Sequence, residues 1–112
     1  MDLLLELSIL FDYYGSLLTE TQQTICDMYY NQNLSLAEIA EDLGITKQGV
    51  RDALKKSEKL LKRYEECLSI KDKNEQIGKL VKSLEAKIDN SELDNKTQFE
   101  IKQLAEQINE LI

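Results

Sequence analysis

The stretch SLAEIAEDLGITKQGVRDALKK, Ser35 to Lys56, decides the fold of this chain. Ala40 is small enough to lie where two helices nearly touch, and Gly44 tolerates the positive φ that a tight turn requires. Ile45, just past the turn, is expected to plug the core, and Thr46 to cap the helix that follows. This spacing predicts a helix-turn-helix. The residues that the second helix is expected to bury against the first are Val50, Ala53 and Leu54.

The side of the second helix opposite Val50 carries polar and basic residues, at about 100° of rotation per residue. Gln48 and Arg51 lie near the start of the helix, where this motif meets base edges, and they suit adenine and guanine respectively. The lysines further along suit phosphate contacts, and Lys47 flanks the strip. The candidate nucleic-acid-binding residues are therefore Lys47, Gln48, Arg51, Lys55, Lys59 and Lys62.

Charge is distributed unevenly along this chain of 112 residues and net charge −7. Residues 1–46 contain eight acidic residues and no lysine or arginine, whereas residues 47–63 have a net charge of +5. Residues 64–112 return to a net charge of −4. A contiguous basic segment in an acidic protein indicates contact with nucleic acid.

A solvated or protein-binding face is the competing interpretation of the same basic strip. Glu38, Glu41 and Asp42 in the preceding helix repel phosphate, and residues 1–46 supply no basic residue to grip a nucleic-acid backbone. Both interpretations stay open at this point.

Helices are predicted on both sides of the motif. Apolar residues at steps of three and four predict a helix from Leu3 to Leu18, with an end or a bend at Gly15. Thr19 is expected to begin a second helix as a capping box with Gln22, and Ser35 with Glu38 forms another such box. In each adjacent tyrosine pair, one ring is expected to pack and the other to lie at the rim. The pairs are Tyr13 with Tyr14 and Tyr29 with Tyr30.

The helix that Thr46 caps is expected to extend to Leu68, about 30 Å. The apolar pattern loses its phase between Ser69 and Asn74, which predicts a boundary there. We therefore expect an all-α protein with a helix-turn-helix domain over residues 1–68 and a C-terminal helical extension, a helical hairpin, over residues 69–112. One apolar stripe of the extension is Ile77, Leu80, Val81, Leu84 and Ile88, and the other is Ile101, Leu104, Ile108 and Leu111.

These two stripes must be covered, because exposed rows of large aliphatic side chains promote aggregation. Pairing with a second copy predicts a homodimer through the C-terminal helices. Folding back onto the helix from Leu3 to Leu18 is the competing solution and predicts a monomer.

Catalysis has no support in the residue inventory. The chain has no histidine, no glycine-rich phosphate loop and no metal-ligand spacing, so we expect no enzyme activity, no cofactor and no metal. Cys26 and Cys67 are expected to be free thiols in a reducing cytosol rather than a disulfide. The apolar start lacks a basic n-region, and no run reaches the ~20 residues of a membrane span, which predicts a cytoplasmic protein without a membrane partner.

A second set of short motifs runs from Leu10 to Leu68. It consists of LLT at Leu17 to Thr19, Tyr29-Tyr30, SLAEIA at Ser35 to Ala40, Gln48-Gly49-Val50, Asp52 and Tyr64-Glu65. In this combination the run resembles the YlxM family of small bacterial proteins linked to the signal recognition particle. Thr46-Lys47 stands where those proteins often have Ser-Arg. The helix-turn-helix alone also resembles region four of bacterial sigma factors, a broader match.

The resemblance implies a regulatory or accessory role in co-translational membrane targeting. The candidate partners that the resemblance implies are the RNA of the signal recognition particle and the particle's GTPase. Two hypotheses follow: a regulator that binds DNA or RNA through the basic helix, and a non-enzymatic adaptor that docks the GTPase without binding nucleic acid.

Overall fold

The computed structural model describes residues 2–112, and Met1 lies outside the described residues. These residues form six α-helices and no strand, which confirms the all-α class. A 3₁₀ turn, Gly15–Leu17, follows the first helix, and a π-helical turn, Asp27–Asn31, extends the second. The helices are α1 (Leu3–Tyr14), α2 (Glu20–Cys26), α3 (Leu36–Leu43), α4 (Lys47–Leu68), α5 (Ile70–Asp89) and α6 (Asn95–Glu110).

Both predicted capping boxes are present. The Thr19 side chain accepts the Gln22 backbone N–H at 3.2 Å, and the Gln22 side chain accepts the Thr19 N–H at 3.0 Å. Ser35 and Glu38 repeat the exchange at the start of α3. Because the Glu38 carboxylate accepts the backbone N–H of Ser35 at 3.1 Å, its pKa lies below the usual range. These reciprocal bonds fix where α2 and α3 begin.

The turn between α3 and α4 has the geometry that the glycine predicts. Gly44 adopts φ 67° and ψ 33°, the left-handed region. Its N–H donates to the Glu41 carbonyl at 3.4 Å, and the Ile45 N–H donates to the Ala40 carbonyl at 3.1 Å. This pair of bonds is a Schellman ending. Thr46 then caps α4 by accepting the Gly49 N–H at 2.9 Å, as predicted.

The expectation that Ile45 plugs the core is wrong. Its side chain is 43% exposed and lies with Leu43 near Glu20 and Thr24 of α2. Ile39 of α3 and Val50 of α4, both fully buried, lie in the core instead. The Schellman ending holds Ile45 at the surface end of α3, so a rule based on spacing alone misplaces it.

The core of the N-terminal unit is assembled around α4. Its predicted apolar face is buried at Val50, Leu54, Ser57 and Leu61, and α1, α2 and α3 each pack against this helix. Leu68 continues the apolar pattern of this helix, but its side chain is exposed at the end of α4. The other large side chains that are almost fully buried in this unit are Tyr14, Ile25, Cys26 and Ile39.

The two tyrosine pairs behave differently. Tyr14 is 1% exposed while Tyr13 lies at the rim, as predicted for neighbours on an α-helix. Tyr29 and Tyr30 are both half-buried, with ring centroids 5.4 Å apart, so the expectation of one buried and one rim residue is wrong for this pair. They lie in the π-helical turn, where more residues per turn bring neighbouring side chains closer to one face.

Two side-chain hydrogen bonds to the Asp27 carboxylate stabilise the π-helical turn. Asp27 accepts the side-chain amide N–H of Asn31 at 2.7 Å and that of Gln32 at 2.8 Å, and these bonds lower the pKa of Asp27. Asn31 and Gln32 thus close the turn by side-chain hydrogen bonds.

The chain divides into two compact units, one ending at Ser69 and the other spanning Ile70 to Ile112. Ser69 takes a left-handed conformation, φ 55°, and ends α4 by donating its N–H to the Glu65 carbonyl at 2.8 Å. The interruption lies at Ser69, the first residue of the stretch in which the apolar pattern loses its phase, and α5 begins at Ile70. Ser69 alone, in its left-handed conformation, separates α4 from α5.

Helices α5 and α6 pack against each other, with Val81 and Ala105 buried between them. An ion pair between Lys102 and Asp89 joins α6 to the end of α5. The predicted α6 stripe is not the packed face as a whole. Ile101 is half-buried, whereas Leu104 is 59% exposed. The packed face of α6 contains Ala105, whose small side chain lets α5 and α6 approach closely.

Substitutions at the turn test the helix-turn-helix geometry. No atom lies within 4 Å of a Cβ built on Gly44, so a side chain there meets only backbone strain. We expect Gly44→Val to lower the free energy of unfolding by about 1–2 kcal/mol. Gly44→Asn, the matched control, should cost less because asparagine tolerates this conformation. Ala40→Glu should cost about 3 kcal/mol or more, since it buries an unpaired charge. Urea denaturation measures all three, and unchanged midpoints for Gly44→Val and Ala40→Glu would contradict the assignment.

The two cysteines should differ in reactivity. Both are free; Cys26 is buried and Cys67 is exposed. Burial raises the pKa of the Cys26 thiol, and a hydrogen bond with Ser57 opposes this only in part. Because the thiolate is the nucleophile, iodoacetamide at neutral pH should alkylate Cys67 alone in the folded protein and both cysteines in urea. Mass spectrometry counts the adducts. Rapid double alkylation without urea would show that the core around Cys26 opens readily.

Candidate nucleic-acid interface

The orientation of α4 follows from its buried face. Val50, Ser57 and Leu61 are fully excluded from solvent, so rotation of the helix would expose core residues. The strip opposite this face therefore points to solvent. All six residues that the sequence singled out are exposed: Lys47, Gln48, Arg51, Lys55, Lys59 and Lys62.

Four of these residues form a continuous strip. Arg51, Lys55, Lys59 and Lys62 follow one another at steps of four, four and three residues, so they share one side of α4. At about 1.5 Å per residue the strip is about 16 Å long. That length matches several successive phosphates along one nucleic-acid strand.

Most of the cations in the strip have no acidic partner. Lys62 is the exception, because its Nζ lies 2.9 Å from the Glu58 carboxylate one turn earlier. Among residues 2–112, no carboxylate lies within ion-pair distance of Lys47, Arg51, Lys55 or Lys59. Their positive charges are therefore available to a ligand.

Lys56 also belongs to this face, although the sequence pattern did not single it out. Lys56 lines a surface depression of about 290 Å³ together with Lys55, Lys59 and Lys62, and Glu58 is the acidic residue in its wall. A helical wheel centred on Val50 places Lys56 to one side of the strip, which is why the pattern alone did not include it. Long lysine side chains reach across that angular gap.

Gln48 is engaged by a neighbour on the same helix. Its side-chain nitrogen donates to the Asp52 carboxylate at 3.0 Å. Bidentate pairing with adenine uses the amide oxygen and one amide N–H, so the second N–H of Gln48 can keep its bond to Asp52. Asp52 thereby places a negative charge within the strip.

The start of α4 concentrates positive potential. Lys47 is the first helical residue, and the first turn contains no acidic side chain. A helix N-terminus already carries partial positive charge from its free N–H groups, so a cation there does not stabilise the helix. Positive charge at this position is explained better by a ligand than by stability.

Acidic residues lie in the other helix of the motif. Glu38, Glu41 and Asp42 are exposed on α3, and within the described residues none of them forms an ion pair. The interface therefore combines one basic helix with one acidic helix. A nucleic acid can approach α4 but is repelled by α3.

Two further observations concern other kinds of site. Residues 2–112 contain no group of three or more histidine, cysteine, aspartate or glutamate side chains arranged to hold a metal ion. Among the described helices, none combines the length and the hydropathy that a bilayer crossing requires.

Comparison with known proteins assigns the chain to a family. Residues 1–108 match the family described as "UPF0122: Putative helix-turn-helix protein, YlxM / p13 like". A UPF0122 protein of Desulforamulus reducens is 49% identical over 74 residues, covering 66% of this chain and 63% of that protein. One from Clostridium kluyveri is 48% identical over 73 residues, covering 65% and 66%. These two matches thus span just under two thirds of each relative.

A longer match extends into the C-terminal helices. A UPF0122 protein of Bacillus cereus is 39% identical over 105 residues, which cover 94% of this chain and 93% of that protein. The similarity therefore continues past Leu68, where the motifs recognised in the sequence end. The chain belongs to the UPF0122 family of YlxM/p13-like helix-turn-helix proteins.

Proposed function

We propose that this protein is a non-catalytic accessory or regulatory factor that binds nucleic acid through the exposed basic strip of α4. The observation that carries the proposal is the set of three cations without acidic partners, Arg51, Lys55 and Lys59, on the outward side of the second helix of the motif. Phosphate contacts by Lys55 and Lys59, with Lys62 after release from Glu58, position the protein. Arg51 lies closest to the helix start and suits a guanine edge.

The shape of the strip favours two kinds of target. A helix enters the major groove of B-form DNA, where Arg51 can reach base edges. The major groove of A-form RNA is too narrow for a helix, so RNA contact uses backbone, bulges or loops. The resemblance to YlxM proteins points to the RNA of the signal recognition particle and to a role in co-translational membrane targeting.

The second candidate is an adaptor that docks the GTPase of the signal recognition particle without binding nucleic acid. The exposed acidic residues of α3, Glu38, Glu41 and Asp42, favour it because they oppose phosphate beside the basic helix. Salt dependence separates the two candidates, since phosphate binding weakens steeply with salt and docking through apolar faces does not.

Charge reversal tests the nucleic-acid proposal. We expect the triple variant Lys55→Glu, Lys59→Glu, Lys62→Glu to stay folded, because all three side chains are exposed, and to lose binding. The matched control reverses three exposed lysines of α5, Lys79, Lys82 and Lys87, and so changes the net charge equally. Fluorescence anisotropy with duplex DNA and with a stem-loop RNA, at several salt concentrations, measures both variants. The log–log salt slope should fall by about one for each phosphate-contacting lysine.

The outcomes separate the two candidates. Binding by the unaltered protein that survives the α4 triple variant would contradict the assigned strip. Absence of binding to both probes at low salt would eliminate the nucleic-acid proposal and leave the adaptor. Equal losses in the α4 and α5 variants would indicate an effect of net charge rather than of the strip.

We also propose a homodimer through the C-terminal unit. Leu104 and Ile108 lie on one side of α6, and Leu111 is its C-cap residue; all three are exposed, with Leu111 86% exposed. An uncovered aliphatic row of this kind favours association. A second copy covers it by symmetry, which is the commonest soluble assembly.

Light scattering on the full chain tests the dimer. We expect a dimeric mass for the unaltered protein and a monomeric mass for Leu104→Glu combined with Ile108→Glu, since charges on the row oppose its burial. Leu17→Glu, at an exposed leucine of the N-terminal unit, is the control and should leave the mass unchanged. A monomeric mass for the unaltered chain would refute the dimer. A dimer that survives the α6 changes would place the interface elsewhere.

A further inference from the structure

An open apolar groove of about 300 Å³ lies in the N-terminal unit, on the edge of α4 that faces α1. Its floor is made by Leu7 of α1 and Leu54 of α4, both buried, and by the half-buried Leu36 at the start of α3. Tyr29 and Tyr30 of the π-helical turn form one wall. Because residues from four separate elements line the groove, no single stretch of the sequence predicts it.

The apolar surface continues beyond the floor. Leu3 and Leu4 line the groove at the start of α1 and remain about half exposed, with Leu4 at 45%. These two leucines extend the groove into a site where large aliphatic side chains can be buried.

The rim of the groove is basic. Arg51 and Lys55 lie along it, and neither has a carboxylate within ion-pair distance among the described residues. Glu58 also lines the groove, but its carboxylate forms an ion pair with Lys62, whose Nζ lies 2.9 Å away. The groove thus offers two uncompensated positive charges beside a leucine floor.

We propose that this groove docks an acidic amphipathic segment of a partner protein, with aliphatic side chains on one face and carboxylates beside them. The aliphatic side chains enter between Leu4 and Leu54, and the carboxylates meet Arg51 and Lys55. A helix laid in a groove in this way is a common mode of peptide recognition. The charge complementarity excludes a basic segment from the same site.

The lining distinguishes this occupant from a nucleobase. Bases bind on aromatic or guanidinium planes and are read through hydrogen bonds to their edges. Tyr29, Tyr30 and Arg51 offer such planes in the wall and at the rim, but the floor consists of leucines, and leucine offers neither a flat face nor a hydrogen bond. An aliphatic protein side chain matches such a surface better, and its burial supplies affinity.

A random peptide library displayed on phage and selected on the immobilised full chain tests the proposal. The selected peptides are expected to share large aliphatic residues at helical spacing with aspartate or glutamate beside them. A synthetic consensus peptide should bind, and Leu4→Glu should weaken it by about tenfold or more because it places a charge against the buried aliphatic face. Arg51→Glu with Lys55→Glu should also weaken it by about tenfold, since attraction becomes repulsion.

Matched controls lie on α5. Leu80→Glu changes an exposed leucine, and Lys79→Glu with Lys82→Glu reverses two exposed lysines; both variants should bind the peptide as the unaltered protein does. Circular dichroism confirms that each variant is folded. A library that yields no consensus, a basic consensus, or a peptide that binds Leu4→Glu unchanged would overturn the proposal. So would a Leu4→Glu variant that converts a dimer to a monomer, because the occupant would then be a second copy.

One variant separates this proposal from the proposed nucleic-acid function. Lys47→Glu with Lys59→Glu alters the candidate interface, and neither lysine lines the groove or pairs with Glu58. It should lose affinity for the DNA or RNA probe and keep affinity for the peptide. A protein that binds no nucleic acid but binds the peptide in a manner sensitive to Leu4 supports the groove alone. A protein that binds nucleic acid but selects no acidic peptide refutes the groove alone.

Discussion

The structure of the N-terminal unit depends on the burial of one face of α4. Val50, Ser57 and Leu61 are excluded from water, and α1, α2 and α3 each pack against this helix. Ser57 can be buried because its hydroxyl donates to the Ala53 carbonyl at 2.8 Å, one turn earlier. With the inner face fixed, the rotation of α4 is fixed, and the basic residues between its buried positions must point outward.

The local features of the motif could be predicted because each depends on neighbours in sequence. The caps at Thr19, Ser35 and Thr46 and the left-handed Gly44 follow from hydrogen bonds spanning three to five residues. Ile45 could not be placed in this way, because what fills the space past the turn depends on side chains from other helices. The groove was missed for the same reason, since its lining comes together only when α1, α3, α4 and the π-helical turn are packed.

The distribution of charge along the chain bears on the proposed binding of nucleic acid. Residues 1–46 have no basic side chain, so the attraction for a polyanion is concentrated at α4. The outward strip of α4 was predictable from the helical period. The structure adds which of its side chains are paired: Glu58 engages Lys62 and Asp52 engages Gln48, each one turn apart, while Lys55 and Lys59 have no acidic partner among the described residues.

The strip and the groove share two residues, so the two proposed ligands cannot be independent. Arg51 and Lys55 belong to the outward strip and also line the leucine groove. Carboxylates that meet these two cations neutralise part of the charge available to phosphate, and phosphates that meet them weaken the docking of an acidic segment. The coupling is reciprocal, because each ligand must change the affinity of the other by the same factor. On the two proposals together, one acidic partner exchanges for another at a single helix.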